Sequence, residues 1–151
     1  MNRWTSKAQA NATPEQLLAV LTHPQQIRRW SPVEFGVDDL EGGKLAAGTR
    51  TRVTGRLAGV PVSFCVEVHA ADSSRLEISA HGPIGLDVRY DLAPADGGAE
   101  MTASVAVRNG SGLTGRVVAK AAATLLSAGA LDGATGRITA AAEAQPYAVA
   151  A

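Results

Sequence analysis

Between Val62 and Val107 the apolar residues recur at every second position, run after run. Val62, Phe64, Val66 and Val68 alternate with Ser63, Cys65, Glu67 and His69, and Leu76, Ile78 and Ala80 with Arg75, Glu77 and Ser79. Leu86, Val88, Tyr90 and Leu92 follow against Asp87, Arg89 and Asp91, and then Met101, Ala103, Val105 and Val107. A period of two puts successive side chains on opposite faces of a strand. These runs therefore predict an antiparallel sheet with one face on a core and the other in water. Residues 49–57 extend it, with Thr51, Val53, Gly55 and Leu57 opposite Arg50, Arg52, Thr54 and Arg56, and Val33, Phe35 and Val37 form a shorter alternating stretch. Ala71-Asp72-Ser73-Ser74, Gly82-Pro83 and Ala95-Asp96-Gly97-Gly98 have the composition of hairpin turns.

Helical text flanks the sheet. A short strand at residues 4–11 places Trp4, Ser6, Ala8 and Ala10 on one face. Thr13-Pro14-Glu15-Gln16 then offers a capping hydroxyl, a proline at the first helical position and a Gln three residues after the cap, predicting a helix to about Thr22 that buries Leu17, Leu18, Val20 and Leu21. Pro24 interrupts it, because proline lacks an amide hydrogen and restricts the residue before it, and a second helix runs to Trp30 before Ser31-Pro32. After Ser111 the period returns to 3.6, predicting a helix to about Gln145, where Pro146 stops it. At 100° per residue Leu113, Val117, Ala121, Leu125, Leu131 and Ile138 share a stripe that must lie on the sheet. Gly115, Gly129, Gly133 and Gly136 each cost a helix up to about 1 kcal/mol relative to Ala, so a break within 129–136 is the alternative to one continuous helix.

Composition narrows the function. The chain has 151 residues, enough for one ordinary domain over 1–151 with 146–151 as a frayed tail. Its 14 basic residues balance 14 acidic ones without a dense basic block, which argues against nucleic acid and anionic membrane surfaces as partners. Cys65 is the single cysteine, so no internal disulfide can form, and no Cys/His cluster offers a zinc site. No GxGxxG or GxxxxGK[ST] pattern supports a nucleotide cofactor, and neither cofactor nor metal is expected. Met1-Asn2-Arg3-Trp4 opens no apolar signal segment, and no apolar run approaches the roughly 20 residues of a membrane helix, so a cytoplasmic protein is expected. The abundance of alanine and glycine fits a GC-rich bacterial coding background.

The element order is that of an α+β fold. Three stretches, Ala12-Thr13-Pro14-Glu15-Gln16-Leu17-Leu18-Ala19-Val20-Leu21-Thr22-His23-Pro24, Ile27-Arg28-Arg29-Trp30-Ser31-Pro32 and Ala47-Gly48-Thr49-Arg50, carry a resemblance over nearly the whole chain. The sequence resembles the polyketide cyclase/dehydrase branch of the START-like (SRPBCC) superfamily. Its helix-grip fold, shared with the major birch pollen allergen, wraps a curved antiparallel sheet of about seven strands around a long C-terminal helix that often finishes near a Glu such as Glu143. These motifs are structural and identify the fold better than the chemistry. The resemblance implies a cavity between sheet and helix that takes a hydrophobic small molecule. It also implies bacterial secondary metabolism, with cyclisation or dehydration of a polyketide chain as the first reading. The superfamily includes self-resistance proteins of enediyne antibiotic clusters, some consumed by cleavage of their own chain, so sequestration of a toxic product is the second. In a third, Gly115, Ala119, Ala122, Gly129 and Gly133 pack the last helix on a second copy, and a monomer or weak homodimer is expected.

Under that fold the sheet would line the cavity with Phe35, Val53, Phe64, Val66, Ile78, Leu86, Val88, Met101 and Val105. Ala121, Leu125 and Ala128 would line it from the helix, where small residues leave a gap or simply reflect coding bias. Trp30 would line the cavity, seal the lid or pack the core. Three residues are candidates for proton transfer. Tyr90 lies in phase with Leu86 and Val88, so its hydroxyl meets a ligand oxygen as donor or acid, or else bonds a backbone carbonyl. Asp132 is a buried carboxylate base if the helix is unbroken, and a turn residue if it breaks at 129–133. His81 sits at the turn into Gly82-Pro83, near the rim. Cys65 and His69 share the outer parity, which makes the thiol inert and the imidazole solvated. His23 helps to end the first helix, and Arg28 and Arg29 either steer an acidic ligand or form a solvated face.

Overall fold

The computed structural model describes residues 2–31, 35–37, 44–57, 59–108 and 112–144. The alternating runs form seven strands: β1 (Asn2–Ala10), β2 (Phe35–Val37), β3 (Arg50–Leu57), β4 (Val60–Asp72), β5 (Arg75–His81), β6 (Gly85–Ala95) and β7 (Gly98–Arg108). All neighbours pair antiparallel in the order β1-β7-β6-β5-β4-β3-β2, so chain order and spatial order agree except that β1 closes on β7. At the β4–β5 turn the Asp72 carboxylate accepts from the Ser74 amide at 2.8 Å, the Ser74 hydroxyl at 2.6 Å and the Arg75 amide at 3.0 Å, the self-bonding that suits Asp to turns. The β6–β7 turn needs Gly97, whose φ is +77°. In β4 the pairing slips between Val68 and Ala70, leaving His69 as the extra residue of a bulge that bends the sheet.

Helices α1 (Pro14–Thr22) and α2 (Pro24–Trp30) run where the proline and cap signals put them. The reciprocal cap is formed: Gln16 N–H donates to Thr13 Oγ1 at 3.1 Å and Thr13 N–H to Gln16 Oε1 at 2.8 Å. The C-terminal segment is two helices, α3 (Gly112–Ser127) and α4 (Ala130–Glu143), which meet at an angle of 61°. Gly129, at φ +95°, takes the turn in the left-handed region, so the break falls before Asp132, and α4 is continuous through Gly133 and Gly136. The expected cap Ser111 and the tail 146–151 lie outside the described residues.

This bend corrects the predicted stripe. Leu131 and Ile138 are buried as expected, but Leu113 and Val117 are 77% and 44% exposed. α3 instead buries Gly115, Val118 and Ala122. A wheel drawn through both helices carries its phase across a left-handed residue, which rotates one helix relative to the other. No single helix among the described residues is long and apolar enough to cross a membrane. α3 and α4 together pass by length and composition alone, and their apolar sides, Val118, Leu131 and Ile138, are spent on the core.

The concave face of the sheet carries two packed clusters. In one, Leu17, Val20 and Leu21 of α1 and Ile138 of α4 meet Leu92 and Met101. In the other, Val118 and Ala122 of α3 meet Val62, Ile84 and Val107. Val105 and Leu126 pack against both. The helices thus touch the sheet at separate places, and the bend between them spans a gap.

Candidate functional site: an apolar cavity under the helix bend

That gap is a cavity of about 350 Å³. Sheet residues Val53, Phe64, Val66, Ile78, Leu86, Val88 and Val105 line it, with Trp30 from α2 and Leu125 from α3, all expected there from the sequence. Its wall is almost wholly hydrocarbon; Tyr90, Ser31 and Arg56 are the residues with polar side chains among those lining it. A shallower cleft beside it is bounded by Ala128, Gly129, Gly133 and Arg137 and shares Ser31, Leu125 and Ala130 with the cavity. The helix bend therefore opens the apolar space toward solvent between α2 and α4.

The elements around this opening are tied together by hydrogen bonds to main-chain carbonyls and to carboxylates. The Trp30 indole donates from Nε1 to the Val20 carbonyl at 3.0 Å, holding α2 on α1. Arg137 Nε donates to the Trp30 carbonyl at 3.0 Å, holding α4 on α2. Ser6 Oγ donates to Asp132 Oδ1 at 2.6 Å and lies 2.9 Å from Thr135 Oγ1, fastening the start of α4 to β1. At the other end of α4, the Asn11 amide donates to Glu143 Oε2 at 2.8 Å.

Tyr90 is the buried polar residue of this wall. Its ring meets Trp30 edge-on, with centroids 6.3 Å apart and planes at 76°. Burial pushes its phenol far above the ordinary tyrosine range, so the hydroxyl is a proton donor and no base.

Other predicted residues lie elsewhere. Asp132 is exposed in the first turn of α4, its carboxylate engaged by Ser6 and turned to β1, because the break at Gly129 resets the helical phase. His81 is exposed at the end of β5, opposite Cys65 on the convex face. Met101 is fully buried in the cluster beneath α1 and α4, beyond the edge of the cavity. Ala121 is only partly buried and Ala122 takes its expected place, a consequence of the shifted α3 face. Ala128 is exposed and borders the shallow cleft. Phe35 pairs through its backbone with Gly55, and its side chain lies outside the described residues. Cys65 is exposed, and so is His69, which meets Ser79 Oγ at 2.7 Å through Nε2. No group of three metal-ligating side chains occurs among the described residues.

Several lining residues escaped the sequence reading. Leu45 and Ile84 sit in connections with no periodic context, and Ser31 was read only as a helix stop. Ala122 and Leu126 would have been found by phasing α3 separately from α4.

The profile of the family described as polyketide cyclase / dehydrase and lipid transport matches residues 1–143. The chain belongs to that family. Solved structures agree on the fold. A Chromobacterium violaceum protein superposes with a TM-score of 0.68 at 14% identity, covering 94% of this chain and 97% of its own. A START superfamily protein from Mycobacterium smegmatis gives 0.64 at 15% identity, with 90% and 96% covered. DynU16, from the dynemicin biosynthetic locus, gives 0.60 at 19% identity; 95% of this chain matches 48% of that one. No curated protein matches in sequence. Such identities speak for the START-like helix-grip fold and leave the ligand to be argued from the cavity.

Proposed function

We propose that this protein binds a hydrophobic small molecule of polyketide type in the cavity beneath the helix bend. The observation that carries this reading is the cavity itself: about 350 Å³ of space walled by aliphatic and aromatic side chains. Well-packed interiors hold few voids larger than a water molecule, and ligand sites have this size and this apolar lining. Turnover is the weaker reading, because Asp132 and His81 point away and Tyr90 alone supplies a donor without a base. Sequestration of such a molecule without turnover is the second reading, and the likeness in fold to DynU16, from the dynemicin biosynthetic locus, is compatible with it.

The test is mass spectrometry of the purified protein before and after exposure to an extract of hydrophobic metabolites from the source organism. A ligand retained and released unchanged supports binding, and a released ligand of altered mass supports cyclase or dehydratase activity. A protein cut or adducted at one residue supports self-sacrificing resistance. Val88→Trp fills the cavity and should abolish retention while leaving the protein folded; retention by this variant would place the ligand elsewhere.

A further inference from the structure

Tyr90 is only 5% exposed, yet among the described residues no group forms a hydrogen bond with its hydroxyl. The oxygen keeps some accessible surface, and the residue borders the cavity. Trp30 cannot serve it, because the indole N–H already donates to Val20. No protein group among the described residues repays the desolvation of that hydroxyl, so its partner is either water or a guest that enters the cavity. A guest that carries an acceptor oxygen can take the place of that water without leaving the hydroxyl unpaired.

We propose that Tyr90 sets the ligand class: a neutral, largely hydrocarbon molecule with a carbonyl or ether oxygen held by the phenolic O–H. The inference deepens the binding role argued above and rests on it. Neutrality follows from the wall, where the one cation among the described lining residues, Arg56, is exposed and directed to the Gly59 carbonyl at 3.5 Å. An anion drawn into the interior would lose its hydration without gaining a partner. Beyond Tyr90 the described wall offers polar side chains at Ser31 and Arg56 alone, so polar groups on the part of the guest that faces the hydrocarbon wall are penalised. The raised phenol keeps the proton on Tyr90 across the neutral range, so the side chain donates and the guest accepts.

Matched probes test this: fluorenone, fluorene and fluorene-9-carboxylate, each displacing N-phenyl-1-naphthylamine from the wild type and Tyr90→Phe. The variant should bind fluorenone about three- to tenfold more weakly, the range of one neutral hydrogen bond, and fluorene equally well or better. The carboxylate should displace the dye poorly from both. Thermal unfolding of the ligand-free variant should show stability equal to or above that of the wild type. Equal effects on ketone and hydrocarbon, no effect on the ketone, tight binding of the carboxylate, or a destabilised ligand-free Tyr90→Phe would each overturn the assignment while leaving a binding cavity. Failure of the dye, ketone and hydrocarbon all to bind the wild type would overturn the cavity reading as well.

Discussion

Arg137 donates from Nε to the main-chain carbonyl of Trp30 at 3.0 Å, so a residue of the last helix holds the end of the second one. The tie closes one side of the cleft that leads into the cavity, where Ser31 and Ala130 belong to both spaces.

Arg137→Met keeps the aliphatic stem and removes the donor. A hydrogen bond from a charged group that is partly screened is worth on the order of 1 kcal/mol, which corresponds to about 2–4 °C of melting temperature for a chain of this size. Amide hydrogen exchange should quicken selectively in α2 and at the start of α4. Unchanged exchange in α2 would mean that packing alone holds the lid.

The bend in the C-terminal segment makes opposite predictions for two large apolar residues. Ile138 is fully buried, and Ile138→Ala should cost about 2–5 kcal/mol in chemical denaturation. Leu113 is 77% exposed, and Leu113→Ser should stay within about 0.5 kcal/mol of the wild type. A large loss from Leu113→Ser would show that α3 presents a different face to the sheet.

What the sequence makes legible is what depends on local chemistry. Thr13, Pro14 and Gln16 act through groups three residues apart, and they place α1 without reference to the rest of the chain. The inward parity of Phe64, Ile78, Val88 and Val105 likewise needs only the pleat. Asp132, Ala121 and Met101 depend on longer relations. The first two were misplaced because one left-handed residue, Gly129, rotates a helix that alanine and glycine leave weakly amphipathic. Met101 has the correct parity, but position along β7 decides whether a residue lies under α1 or over the cavity. Nothing in a strand pattern encodes that coordinate.

Glycines at 98 and 129 separate steric from conformational cost. A Cβ on Gly98 would overlap the Ala10 carbonyl oxygen, which is backbone and cannot swing aside. Gly98→Ala should therefore displace the end of β1 and cost about 3 kcal/mol by overpacking. A Cβ on Gly129 meets nothing within 4 Å, and Gly129→Ala pays only for its φ of +95°, about 1 kcal/mol. Denaturant titration of both variants checks the order, and equal losses would contradict it.

Acid should act through the β4–β5 turn. Hydrogen bonds from the Ser74 hydroxyl and amide, then from the Arg75 amide, hold the Asp72 carboxyl below its ordinary value of 3.8. A carboxyl with a lowered pKa in the folded state stabilises that state fully above the unfolded value. The contribution disappears as pH falls through the lowered folded value. Asp72→Ala removes this contribution at every pH, so the gap in melting temperature between wild type and variant should be constant from neutral pH to about 5 and should narrow below about 4. Because Asp72 is exposed at the turn, the gap should be small and should change little with salt, being set by short hydrogen bonds more than by the Arg75 charge. A gap that widens in acid would assign the stabilisation to the protonated side chain and overturn the turn geometry as its source.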